Sequence, residues 1–250
     1  MSKNFELLRQ ADWHQDYFEG LPLSPLPEHS VRHAPVRPKQ FRVRNDQIFS
    51  LVRKVFLDSR GAHACIVMFS GTARGVGCTW TCANAAKALA NSVAGSICVI
   101  DANFLAPSLH RHFSGRPAPG ISDAIIESAP TKQFALQFED TNLWFLPAGN
   151  HCKGVLTLPD KSVLELHFRE LQGEFDYLLV DGPALTSAPL TASIGKTVDG
   201  AVLVLESSGI APNALLHARK QLEKARVHLF GVVLNQRASV LPTMLDRLVK

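Results

Sequence analysis

Cysteine is scarce and unpatterned in this chain. The five residues, at 65, 78, 82, 98 and 152, are odd in number and include no Cys-x-x-Cys pair. That excludes a disulfide framework, and no metal bound through sulfur is expected; reduced thiols fit better. Long hydrophobic runs are also missing: stretches such as 64–69 fall far short of the roughly 18 residues a membrane span needs. The opening residues, MSKNFELLRQADW, are broken by Glu6 and Asp12 and hold no apolar core, so no secretory signal is expected and a cytoplasmic setting is. Tyrosine occurs twice, at 17 and 177. Excess charge of one sign is absent as well: a formal charge of +4 over 250 residues is too small to imply a nucleic-acid partner. With 46% apolar and 19% charged residues, the chain can bury a full core in one or two domains.

Residues 1–45 stand apart as an extended leader. Five of the 15 prolines lie between Pro22 and Pro38. Phe5 with Leu8, and Leu7 with Ala11, take helical spacing, which predicts at most a short N-terminal helix. From 31 to 45 there are five basic side chains (Arg32, Arg37, Lys39, Arg42, Arg44) and no acid. A solvated linker and a peripheral contact with an anionic membrane surface both fit that pattern.

From 46 to 250 the pattern alternates. An amphipathic helix is predicted over 47–58. Continuous apolar strands are predicted at 64–70, 96–101, 143–147, 175–181, 200–206 and 228–234, as for strands covered on both faces. Helices are predicted between them at 79–93, 121–128, 161–172, 191–197 and 212–225. This alternation implies an α/β fold with a doubly wound, mostly parallel sheet and a ligand beyond the carboxyl ends of its strands.

The first strand runs into Gly71-Thr72-Ala73-Arg74-Gly75-Val76-Gly77-Cys78-Thr79, and a helix follows. Strand, glycine-rich turn and helix N-terminus make an anion cradle, because backbone N–H groups converge on phosphate oxygens. A Walker A loop ends Gly-Lys-Ser/Thr, the lysine reaching the terminal phosphates and the hydroxyl binding Mg²⁺. Here Gly77 and Thr79 are in place and Cys78 takes the lysine position. A helix N-terminus tends to lower a cysteine's pKa, and a thiolate at 78 would repel phosphate.

Two further segments accompany the loop. Cys98-Val99-Ile100-Asp101-Ala102-Asn103-Phe104-Leu105, continued by Ala106-Pro107-Ser108-Leu109-His110, is similar to a Walker A′ strand end. Residues 175–183, with Asp181-Gly182-Pro183, are similar to Walker B. With 231–235, ending in Asn235, the chain resembles the cytosolic P-loop kinase domains of bacterial tyrosine kinases. These are the BY-kinases of capsule and exopolysaccharide synthesis, relatives of the Min/Par-type ATPases. The opening and closing residues, MSKNFELLRQAD and LPTMLDRLVK, also look like those of exopolysaccharide-operon members.

The resemblance implies a P-loop NTPase fold, ATP or ADP with Mg²⁺, and catalytic aspartates at Asp101 and Asp181. It implies a nucleotide held by Gly71, Arg74, Gly75, Val76, Gly77, Cys78, Thr79, Trp80 and Asn235, and a metal held by Thr79, Asp101 and Asp181. It also implies a membrane polysaccharide co-polymerase or chain-length regulator as partner, a place at the inner face of the membrane through that partner, and homo-oligomers.

The departures fall on charge. The family's lysine, second aspartate and arginine are Cys78, Asn103 and Leu105 here. By analogy with loss of one oxyanion donor, losing the lysine costs on the order of 3 kcal/mol of transition-state stabilisation. No tyrosine cluster follows Ala238, and the family's ring-forming helix motif, falling on Gln47, Ser50 and Arg53, keeps only Arg53. Arg74, or a neighbouring subunit, could supply a compensating cation. Three readings stay open: an impaired kinase acting as regulator or scaffold, an active kinase or ATPase, and a nucleotide sensor without turnover. Cys78 and Cys82, at i and i+4, are read as inert thiols, while His110, His112, Trp80 and Trp144 are expected to pack near the sheet.

Overall fold

The computed structural model describes residues 41, 43, 46–57, 66–138, 140–157, 162–206 and 212–235. The expected leader, apart from Phe41 and Val43, and the closing tail lie outside them. Seven strands form one sheet: β1 (Ile66–Gly71), β2 (Ile97–Asp101), β3 (Leu136–Gln137), β4 (Leu143–Leu146), β5 (Tyr177–Asp181), β6 (Gly200–Glu206) and β7 (Leu229–Asn235). Their order is β3-β4-β2-β5-β1-β6-β7. Every pairing is parallel except β3 with β4. The helices are α1 (Asp46–Val52), α2 (Cys78–Ala90), α3 (Ile121–Glu127), α4 (Cys152–Thr157), α5 (Ser162–Gln172), α6 (Ala188–Gly195) and α7 (Pro212–Lys224). No helix among the described residues is long and apolar enough to cross a membrane.

The continuous apolar strands are explained by two cores. Alternate residues of β1 go to opposite faces, Ile66 and Met68 to one and Val67 and Phe69 to the other, and β2, β5 and β6 divide likewise. The first face is covered by α3, α5, α6 and α7, through Ile125, Phe168, Ile194 and Leu222. The second is covered by α1 and α2, through Ile48, Leu51, Ala86 and Leu89.

All six predicted strands are present, five of them with shifted ends. Residues 175 and 176 stay out of β5 because Asp176 turns aside to accept hydrogen bonds from Ser96 N (2.7 Å) and Ser96 Oγ (2.9 Å). The predicted helix at 47–58 is α1 followed by a π-helical turn, Arg53–Leu57. The predicted helix at 191–197 begins earlier, as α6, where Pro189 occupies its first turn. Sequence periodicity gave no sign of β3 or α4, two and six residues long.

Chain order reverses at β1, which lies between β5 and β6. The glycine loop leaves the carboxyl end of β1 at this switch point, beside the ends of β5 and β2.

Candidate functional site: the loop after β1

The loop is fixed by its neighbours. Thr72 N donates to Val204 O at 3.1 Å and Leu185 N donates to Gly71 O at 2.9 Å, tying it to β6 and to the segment after β5. A Cβ on Gly71 would lie 2.6 Å from Val76 Cγ2 and 2.9 Å from Ala73 O, so only glycine lets the loop fold back on the strand end. Gly75 and Gly77 take φ of 86° and 85°, the left-handed region that glycine enters without penalty. Gly77 is the N-cap of α2, and no side chain caps the helix there. The first-turn N–H groups of this 13-residue helix are thus free of a side-chain cap, the arrangement that receives an anion.

Asn235 Nδ2 donates to Val76 O at 3.0 Å, so this residue, expected to help hold the nucleotide, pins the loop. Arg74 is exposed and forms no ion pair among the described residues. Trp80, expected to pack near the sheet, is 39% exposed on the first turn of α2. Position 80 points outward because Thr81 and Cys82, one and two residues on, take the buried face. Trp144 does pack, edge-on to Phe175 with ring centroids 5.4 Å apart.

Asp101 and Asp181 end adjacent strands in direct register. Asp101 is well supplied with donors: Asn103 N reaches Oδ1 at 3.2 Å, and Ser108 N and Leu109 N reach Oδ2 at 3.0 Å each. Burial nevertheless raises it to about 6. Asp181 is fully buried, and neither carboxylate oxygen has a hydrogen-bond partner. Thr79 and Cys78, close by, act weakly to favour its ionised form. Burial, and then the Asp101 charge, lift it to about 8.

The same buried setting decides the state of Cys78. Burial pushes its thiol well up, and the Asp181 charge adds to that. The thiolate considered from the sequence is therefore corrected to a neutral thiol: the helix end favours ionisation, but desolvation, and after it Asp181, oppose it more strongly. Cys82 is raised by burial as well. Leu105 is 53% exposed and brings no charge to the site. The Asn103 backbone supports Asp101 through its N–H and accepts from Ala106 N at 3.0 Å.

Two contributors were not singled out from sequence. Ser108 Oγ shares a hydrogen bond with Thr79 Oγ1 at 3.2 Å, and the N–H groups of Ser108 and Leu109 hold Asp101. The Pro-Ser-Leu-His continuation was the available signal, without a role attached. His110 and His112 lie in a 3-10 turn, Leu109–His112, where His112 O accepts from Lys87 Nζ at 3.0 Å.

The donor set fits a hard divalent cation: a buried carboxylate without hydrogen bonds, beside a hydroxyl. The uncapped helix end fits phosphate oxygens. What the arrangement lacks, among the described residues, is a lysine or arginine ion-paired to either carboxylate.

A family model described as cellulose biosynthesis protein BcsQ matches residues 64–238. EpsB of Ralstonia solanacearum, named as a candidate tyrosine-protein kinase, is 27% identical over 172 residues; the match covers 68% of this chain and only 22% of that relative's length. Among solved structures, the BceF tyrosine kinase domain superposes with a TM-score of 0.63 at 24% identity, over 76% of each chain. Cobyrinic acid a,c-diamide synthase from Mycobacterium smegmatis, solved with a bound ATP analog and magnesium, does so with a TM-score of 0.59 at 14% identity, over 74% of this chain and 78% of that one. These likenesses show the fold of the P-loop NTPases. The family model covers more than half of the chain, from just before β1 to just past Asn235. On that match the chain belongs to the family described as cellulose biosynthesis protein BcsQ.

Proposed function

We propose that this chain is a regulatory or scaffold subunit of exopolysaccharide synthesis or export, built on a P-loop site impaired in phosphoryl transfer. Its partner in this reading is a membrane chain-length or export protein. The polysaccharide setting is supported by the family description and by the likeness to kinases of the EpsB kind. The observation that carries the impairment is the buried Cys78 thiol on the first turn of α2, set where a cation is needed and beside the buried Asp181 carboxyl. Phosphoryl transfer is mainly positioning and charge neutralisation, and a thiol contributes neither positive charge nor a strong donor.

In this reading the N–H groups at the start of α2 receive phosphate oxygens. Asp181 and Thr79, with Asp101, would hold Mg²⁺, which supplies the charge neutralisation that Cys78 does not. Asp101 keeps the 103–109 segment in place, and Ser108 orients the Thr79 hydroxyl. A nucleotide sensor without turnover is the second reading, favoured by the uncapped helix end and by the Asp181 oxygens that have no hydrogen-bond partner.

The test is titration with a fluorescent ATP analogue, with and without Mg²⁺, on the natural chain and its Cys78→Lys variant, with phosphate release measured in parallel. The expected result is no Mg²⁺-dependent ATP loss by the natural chain, and nucleotide binding about ten-fold or more tighter in the variant. Saturable binding by the natural chain without ATP loss selects the sensor reading. Mg²⁺-dependent turnover near an ordinary enzyme rate refutes the impairment.

A further inference from the structure

A second group of chemistry-bearing side chains lies where α3 meets the segment after β4. Asp123 and Glu127 are one turn apart on α3 and share a face. His151 comes from the loop that precedes α4, and one ligand atom from each of the three lies within 4.8 Å of the others. The site is firmly built. Asp123 Oδ2 accepts from Gly120 N at 2.8 Å and from Asn150 N at 2.9 Å, and Oδ1 lies 2.9 Å from His151 Nδ1. Ser122 Oγ accepts from His151 N at 3.0 Å. Gly149, with φ 95°, allows this closure, since a Cβ there would lie 2.1 Å from Asp123 Oδ2 and 2.3 Å from Ser122 Oγ.

The Asp123 side chain is 3% exposed. Among the described residues no lysine or arginine pairs with it; its one ionisable partner is His151, half exposed.

We propose that Asp123, Glu127 and His151 form a divalent transition-metal site of the Zn²⁺ class, the ion taking the place of the proton between Asp123 Oδ1 and His151 Nδ1. The 2.9 Å separation of those atoms would widen by about half an ångström to reach the roughly 3.3–3.6 Å edge of a tetrahedral shell with bonds of about 2.0–2.2 Å. Glu127, exposed on the next turn, closes the shell by side-chain rotation. One imidazole and two carboxylates suit a borderline ion better than Mg²⁺ or Ca²⁺, which prefer oxygen alone. Binding through Nδ1 moves the imidazole proton to Nε2 and gives the buried carboxylate a full positive partner. The ion would brace α3 against the end of β4. His151 and the segment before it follow the carboxyl end of β4, which runs parallel to β2, so this group lies on the same carboxyl edge of the sheet as the glycine loop.

The test is a Co²⁺ titration of the full chain after chelator treatment, followed by visible absorption and calorimetry, with Zn²⁺ as competitor. Expected is one Co²⁺ per chain, displaced by Zn²⁺, weakened about ten-fold or more in His151→Ala and also weakened in Glu127→Gln. Both substitutions replace exposed side chains and leave the Asp123 backbone contacts intact. Asp181→Asn should leave this binding unchanged. No saturable binding by about 1 mM Co²⁺ overturns the proposal. So does binding indifferent to both His151→Ala and Glu127→Gln, and so does binding lost in Asp181→Asn alone, which assigns the ion to the glycine loop.

Discussion

Asp181→Asn keeps the shape of the side chain and removes its charge. In the natural chain the carboxyl is raised from its ordinary 3.8 to about 8, first by burial and then by Asp101. The folded chain thus holds a proton that the unfolded chain releases, and stability falls as pH rises from about 4 to about 8. At pH 7 the interval is about 7 − 3.8, or three units, and at about 1.4 kcal/mol per unit the penalty is on the order of 4 kcal/mol. Coupling to Asp101, which shares the same repulsion, makes this an upper figure. Asparagine carries no such penalty. Urea unfolding followed by far-ultraviolet circular dichroism, at steps from pH 4.5 to 8, should therefore show the variant gaining about 2–4 kcal/mol on the natural chain across that range. The difference between the two pH extremes isolates ionisation from any cost of burying the amide. Cys78→Lys should flatten the same profile, because an ammonium beside Asp181 stabilises its charged form. A constant offset at all pH values, or a natural chain that becomes more stable toward pH 8 relative to the variant, would refute the reasoning.

Gly71→Ala drives a Cβ to 2.9 Å from a backbone oxygen, Ala73 O, and 2.6 Å from Val76 Cγ2. The loop must open, at a cost of about 1–3 kcal/mol in urea unfolding, with loss of any phosphate binding in the ATP-analogue titration. Asn91 grips the backbone of Phe41, accepting from its N–H at 2.8 Å and donating to its carbonyl at 2.7 Å. Asn91→Ala should lower stability by about 1–2 kcal/mol and speed tryptic cleavage after Arg42 and Arg44; an unchanged cleavage rate would deny the clasp its role.

The sheet was legible because its strands are buried on both faces and so appear as unbroken apolar runs. Phe69 and Met68 are neighbours in sequence yet belong to opposite cores, and both are apolar. The loop was legible because glycine is required at Gly71, Gly75 and Gly77 for a close approach or a positive φ. The convergence of Asp101 and Asp181 followed from motif order, and parallel register places them side by side. Local sequence could not show what lies beneath a residue. Position 78 looks like a helix end that favours a thiolate; burial, and after it Asp181, distant in the chain, reverses that. Trp80 looks like a packing residue until the buried face of α2 is known. The Asp123 and His151 pairing depends on how tightly Gly149 lets one loop approach one helix, a contact with no periodic signature.

The two carboxylate sites solve one physical problem in different ways. A buried carboxylate must receive hydrogen bonds, a cation or a proton. Asp123 receives two backbone N–H groups and a histidine, and stays ionised. Asp181 receives no hydrogen bond, and at neutral pH it keeps a proton instead. Any cation that enters the loop site must displace that proton, so its affinity should rise with pH through the range in which Asp181 titrates. The lysine missing at position 78 would have removed this dependence, because a fixed positive charge beside Asp181 keeps it ionised. In the proposed reading, cysteine at position 78 would therefore do more than weaken a phosphate contact: a cation in the site would compete with the Asp181 proton, and occupancy would depend on both divalent cation and pH.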